Sequence, residues 1–209
     1  MNSPVYNMRP QRQSGIPDIV FVLLVANGLL YVVERFFPEF MIYYFALWPI
    51  ESGLFKPWQL LTYGFLHDLN SLYHIGFNML GLWMFGRHIE PIMGPQRFLF
   101  YYLTCVIGAG IVQMLVAGLQ GGVYFTVGAS GGLMGILLAY ALAFPNQTIM
   151  LLIPPIPMKA KYFVVLFALA SVFLGVSGAV PGVAHFAHLG GMLVGFLLLQ
   201  YWQKSRPRR

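Results

Sequence analysis

Six apolar runs, each near the length of a membrane-crossing helix, dominate this chain. A spanning helix needs about 20 mostly apolar residues, and residues 19–37, 71–89, 97–118, 124–144, 161–178 and 180–202 each supply such a run. Charged residues make up 9% of the 209 and hydrophobic ones 58%, whereas a soluble domain carries about 25% charged residues. The fold class read from this pattern is all-α: a polytopic membrane bundle of six transmembrane helices, with the lipid bilayer as its first partner. One domain, 19–202, lies between a short N-terminal tail, 1–18, and a basic tail, 203–209. The segment before Asp18 lacks an apolar core, and no small-residue cleavage site follows it. It therefore does not read as a signal peptide, and 19–37 reads as a retained span.

The formal net charge of +6 invites a nucleic-acid reading, but the basic residues punctuate the gaps between apolar runs instead of sharing one face. That is how topology signals are distributed. With six spans, Arg9, Arg12, Arg87, Arg97, Lys159, Lys161, Lys204, Arg206, Arg208 and Arg209 fall on one side, and only Arg35 and Lys56 on the other. The positive-inside rule then puts both termini in the cytoplasm. Loop one, 38–70, carries the stretch Phe40-Met41-Ile42-Tyr43-Tyr44-Phe45-Ala46-Leu47-Trp48, too short to span and rich in aromatics. It reads either as an interfacial segment, since Trp and Tyr favour the headgroup region, or as a loop covering helix ends.

Polar groups inside lipid are costly and tend to be functional. Ser130 stands between small residues in Gly128-Ala129-Ser130-Gly131, His188 lies in the last run, and His74 and Asn78 lie four apart in the second. Read with the run boundaries above, Asn78, Ser130 and His188 are each roughly six to eight residues below the outer end. At 1.5 Å per residue this is about 9–12 Å. Serine needs a base to become a nucleophile, and histidine serves near neutral pH. No acidic residue lies in the fourth or sixth run, so Ser130 and His188 read as a dyad rather than a triad. Acyl transfer also needs oxyanion donors. His74 and Asn78 share one helix face, and the Ser130 amide at a helix start can donate as well.

Gly131 with Gly135, and Gly191 with Gly195, form small-xxx-small pairs. Such pairs let helix backbones approach, which would bring the fourth span against the sixth. Other readings of the same residues exist. A serine in a span often bonds its own helix backbone, an intramembrane histidine can relay protons, and His74, His185 and His188 could in principle hold zinc. There is no HExxH and no nearby carboxylate base, so no metal is expected. Cys105 reads as a small apolar helix residue. His67, Asp68 and His88 read as bland span-edge residues.

Taken together, these segments resemble the rhomboid family of intramembrane serine proteases, of the six-span bacterial type, from about Ile16 to Tyr201. The resemblance rests on Trp58-Gln59-Leu60-Leu61-Thr62-Tyr63-Gly64-Phe65-Leu66-His67, on His74-Ile75-Gly76-Phe77-Asn78, and on Gly86-Arg87 with Glu90 and Gly94. It continues through Gly128-Ala129-Ser130-Gly131 and Ala187-His188-Leu189-Gly190-Gly191 with Gly195. It implies a Ser130–His188 dyad, oxyanion stabilisation by His74, Asn78 and the Ser130 amide, and close substrate approach at Gly128. It implies transmembrane proteins as substrates, no cofactor or metal, and a bacterial inner membrane with cytoplasmic termini. Loop one and the fifth span resemble the parts that flank substrate entry. The chain departs from the pattern at Met134, where many members carry an aromatic stacked on the base, and at Gln59, where an arginine often follows the tryptophan. The interval from His67 to His74 is also longer than in some relatives. Two alternatives compete: a non-catalytic rhomboid-like binder of membrane proteins, and a proton-coupled transporter. A pure binder needs neither Ser130 nor His188, and the paired inverted halves common in transporters are not evident here.

Overall fold

The apolar runs fold as helices because lipid offers no partner to backbone N–H and C=O groups, so each span must satisfy its own. The structure, a computed structural model, describes residues 18–121, 124–150, 155–180 and 182–205. Most of the expected 1–18 tail and the end of the 203–209 tail lie outside the described residues. Six helices make the bundle: α1 (Ile19–Phe36), α4 (Leu72–Met93), α5 (Pro95–Gln120), α6 (Ser130–Ala143), α7 (Ala160–Ser177) and α8 (His185–Lys204). Two more, α2 (Pro38–Phe45) and α3 (Gln59–Thr62), lie in loop one. By length and composition α1, α5 and α7 can each cross a membrane. The bundle is helical as expected, and it carries in addition an antiparallel ribbon of β1 (Thr148–Met150) and β2 (Pro157–Lys159) between α6 and α7.

The helix starts correct the run boundaries where they matter most. The run 124–144 is not one helix: α6 begins only at Ser130, and its 14 residues reach about 21 Å. Likewise α8 begins at His185, not at 180, past Gly178 and Gly182, which both adopt positive φ. Ser130 is thus the first residue of α6, and His188 lies in the first turn of α8. Ser130 is reached through non-helical chain, and His188 after less than one turn of helix. That chain is apolar, so hydropathy alone does not separate it from the helix behind it. Before α6, loop one supplies backbone partners to this chain. Leu47 and Thr126 exchange N–H···O bonds of 3.0 and 2.9 Å, and Gly128 N–H donates to Tyr63 C=O at 3.0 Å.

Loop one is itself folded around buried Gln59. The Gln59 side-chain oxygen accepts from the N–H groups of Trp48 and Lys56, and its amide donates to the Tyr44 and Leu54 carbonyls. Trp58 Nε1 donates to Tyr44 C=O at 2.9 Å, and Thr62 Oγ1 to Phe45 C=O at 2.8 Å. On α2 one face buries Met41 while Phe40, Tyr43 and Tyr44 stay exposed. The loop packs on the bundle through Met41 and turns these aromatics outward. At the other end of the bundle Glu90 of α4 holds the start of α1, accepting from Ile19 N–H and Val20 N–H at 2.9 Å each. Asp18 caps the same turn.

Small residues decide how the helices meet. α5 is central, with Phe98, Tyr101, Tyr102 and Cys105 fully buried. Cys105 packs against Gly135 of α6 and Gly195 of α8. The tightest approach joins α6 and α8. A Cβ built on Gly191 would collide with the Gly131 carbonyl oxygen and stand 2.8 Å from its carbon. The obstacle is main chain, which cannot swing aside as a side chain does. Gly191→Ala is therefore expected to lower Tm, with a cost of about 1–3 kcal/mol or more for overpacking. At Gly118 an added Cβ meets only the tip of the Glu51 side chain, at 3.0 Å, so Gly118→Ala should leave Tm nearly unchanged. Thermal unfolding of both variants in one detergent checks this, and equal Tm values would contradict the α6–α8 contact.

Candidate active site

The contact between α6 and α8 brings Ser130 and His188 together. Ser130 Oγ and His188 Nε2 lie 2.9 Å apart. When His188 carries its proton on Nδ1, the serine hydroxyl donates to the bare Nε2, the arrangement a general base requires. Nδ1 is buried and has no hydrogen-bond partner among the described residues, so no third side chain orients the ring by hydrogen bonding. Packing takes that role. Phe167 of α7 lies 5.7 Å from the His188 ring, and His185 meets it edge-on at 6.3 Å. Phe167 thus supplies an aromatic neighbour of the kind that Met134 does not. Met134 remains beside the site, buried and lining the same cavity.

Gly128 stands at the convergence of the other groups. Its φ is +132°, in the region that favours glycine. A Cβ built there would lie 2.9 Å from His74 Nε2 and 3.7 Å from Ser130 Oγ, so the missing side chain leaves open the space between the His74 imidazole and the Ser130 hydroxyl. His74 is held from behind: the Asp68 N–H donates to its Nδ1 at 3.0 Å. This leaves Nε2 as the protonated nitrogen, facing Gly128. Asn78 Nδ2 donates to the His74 carbonyl at 2.8 Å, which uses one amide hydrogen and leaves the second. The Ser130 N–H belongs to the first turn of α6, where helix N–H groups lack intrahelical acceptors. The first bond of that helix runs from Leu133 N–H to Ala129 C=O at 3.0 Å. The structure therefore gathers Ser130, His188, His74, Asn78 and Gly128 into one site.

A cavity of about 1440 Å³ opens onto these groups. Tyr73, Phe77 and Met84 of α4 line one flank, and Phe163, Phe167 and Leu174 of α7 the other. Such a space can take an extended peptide segment with its carbonyl at Ser130.

Two polar residues escaped the sequence reading. Gln113 of α5 accepts from the buried Ala187 N–H at 3.1 Å, fixing the first turn of α8 beside His188. Glu34, 1% exposed near the end of α1, accepts from His67 N–H at 3.0 Å. His67 and Asp68 are not bland edge residues either. His67 is buried with its ring 5.4 Å from that of His74, and burial plus the neighbouring His74 push its pKa down to about 4, so it is neutral at physiological pH. The available signal was the one that singled out His188: a lone polar residue within an apolar run. His88, in contrast, bonds its own helix at Met84 C=O and packs on Tyr140.

Comparison with known proteins agrees with this architecture. The Rhomboid domain family matches residues 54–204. The chain is 33% identical over 148 residues to "Rhomboid protein 1, mitochondrial" of Saccharomyces cerevisiae, covering 66% of this chain and 42% of that protein. It is 28% identical over 196 residues to the mitochondrial presenilin-associated rhomboid-like protein of Homo sapiens, covering 88% of this chain and 50% of the relative. It is also 28% identical over 196 residues to rhomboid protease GlpG of Yersinia pestis, covering 91% and 63% respectively. The chain spans about half the length of the curated relatives it matches.

Gln113→Met should leave the Ala187 N–H buried and unpaired, at a cost of about 1–3 kcal/mol. Gln113→Glu keeps an acceptor at the same place and should lose less. Thermal unfolding of the two variants decides; equal losses would mean that volume, not the hydrogen bond, matters at this position.

Proposed function

This chain belongs to the rhomboid family, and we propose that it is an intramembrane serine endopeptidase acting through a Ser130–His188 dyad on transmembrane protein substrates. The observation that carries the proposal is the 2.9 Å approach of Ser130 Oγ to His188 Nε2 at the mouth of an apolar cavity. A protein that only binds membrane segments needs neither group, and still less a glycine that opens the space between a serine and an imidazole N–H.

The proposed reaction follows from the positions. A substrate segment enters between α4 and α7 and lays its scissile carbonyl over Gly128. Ser130 Oγ attacks as His188 Nε2 takes its proton. The oxyanion accepts hydrogen bonds from His74 Nε2–H, the free Asn78 amide hydrogen and the Ser130 N–H, donors fixed before charge develops. The His188 imidazolium then protonates the leaving amine, and water hydrolyses the acyl-enzyme with the same base. Neither metal nor cofactor takes part in this scheme. The catalytic unit is the domain 19–202, and the charge asymmetry supports cytoplasmic termini; a bacterial inner membrane rests on the family likeness to the bacterial relative.

The dyad makes a quantitative claim. Ser130→Ala and His188→Ala should each abolish cleavage of a single-span reporter in proteoliposomes, and the double variant should be no worse than either, because groups acting as one unit are strongly non-additive. Multiplicative losses would separate the two residues. Asn78→Ala should lower kcat more than it raises KM, with a loss of up to about 10²–10³, since an oxyanion donor acts mainly in the transition state. A rise in KM at unchanged kcat would move Asn78 from catalysis to binding.

A further inference from the structure

The C-terminal end of α1 reaches the short segment that holds His74. Two consecutive residues of α1 do so, both through main-chain groups. Glu34 Oε2 accepts from His67 N–H at 3.0 Å, and Arg35 Nη1 donates to the Leu69 carbonyl at 3.1 Å. Between these two points lies Asp68, whose N–H donates to His74 Nδ1 at 3.0 Å. Tyr31, one turn earlier on α1, packs edge-on against the His67 ring at 6.4 Å, and His67 packs in turn on His74. Glu34 is an acidic residue almost wholly buried in a mostly apolar helix, a costly placement without a return.

We propose that Glu34 and Arg35 are positioning residues for His74: they clamp the peptide units of 67–69 so that the Asp68 amide fixes the imidazole tautomer. The inference rests on the endopeptidase reading for its kinetic consequence, not for its structural one. An N–H aimed at Nδ1 requires a lone pair there, so the neutral ring carries its proton on Nε2. That proton points to the space above Gly128, 2.9 Å from where a Cβ would stand. With the other tautomer a lone pair would face the developing oxyanion and repel it. Both clamping bonds are to main chain, so they hold the turn whatever side chains it carries. They also give a role to the extended interval between His67 and His74, a stretch that needs outside support because it leaves more backbone to hold.

The test uses the full chain, labelled with ¹⁵N-histidine and reconstituted in detergent or proteoliposomes. His74 is assigned by loss of its signals in His74→Gln. The wild type should show a bare Nδ1 and a protonated Nε2 at neutral pH. Glu34→Leu and Arg35→Met should each shift His74 toward a mixture of tautomers and lower kcat by roughly 10–100-fold, part of the loss expected for an oxyanion donor, with KM changed by no more than about twofold. Glu34→Gln keeps an oxygen that accepts from His67 N–H and should restore both readouts. Should Glu34→Leu fail to fold, the exposed Arg35→Met carries the test with the Gln variant as its control. An unchanged His74 tautomer with kcat at the wild-type level in Arg35→Met would overturn the clamp, as would a Gln variant as impaired as the Leu variant, or a loss confined to KM. A wild type that neither cleaves nor labels at Ser130 would sink the endopeptidase reading alone, because the tautomer shift in the variants still decides the clamp.

Discussion

The backbones of α6 and α8 touch where Gly191 meets the Gly131 carbonyl, and this contact sets the distance between Ser130 and His188. In lipid, helices gain little by hiding apolar surface from one another, so association depends on close packing. Here the absence of side chains brings main chain to main chain one residue past the serine and three past the histidine. α5 backs the pair from the other side. Gly108 accommodates Val194 of α8, Gly190 meets Val112, and Cys105 fills the gap between Gly135 and Gly195. Ser130 and His188, on separate helices, hold a 2.9 Å separation because there is no room for the helices to drift.

The side of the site that holds His74 and Gly128, the proposed oxyanion side, is built differently. Gly128 lies on non-helical chain, and the His74 ring, in the first turn of α4, is held by the non-helical Asp68 amide; such chain survives in a membrane only when its backbone groups find protein partners. Loop one provides them. Gln59 ties the loop to itself, Leu47 pairs with Thr126, and Tyr63 accepts from the Gly128 N–H. Tyr63 also donates its hydroxyl to the Val106 carbonyl at 2.7 Å, so the loop is anchored on α5, the helix that supports the dyad. The two halves of the site share one rigid base while using distinct physics: glycine packing for the dyad, main-chain hydrogen bonding for the donors.

Much of this was legible in the chain. The six apolar runs mark the six helices of the bundle, and Ser130, His188, His74, Asn78 and Gly128 do converge. The glycine pairs correctly pointed to contact between α6 and α8. Helix starts were less legible, because the extended segment before Ser130 is as apolar as the helix that follows. A hydropathy pattern registers burial and not hydrogen-bond geometry. Glu34 and Gln113 were missed for a related reason. Each serves backbone groups far away in sequence, Gln113 at a separation of 74 residues, and nothing local in the chain specifies those partners. The aromatic beside His188 likewise arrives from α7 as Phe167, not from the position after the serine where a motif would place it.

Covalent labelling of Ser130 tests the central claim most directly, because it asks for a nucleophile activated by its neighbour and does not depend on finding a substrate. The purified, folded protein would be treated with a fluorophosphonate serine-hydrolase probe at neutral pH and the modified residue read by mass spectrometry. The account predicts a single adduct on Ser130, formed slowly or not at all in His188→Ala although that variant remains folded. An unlabelled Ser130 in the wild type, or labelling at the same rate without His188, would contradict it.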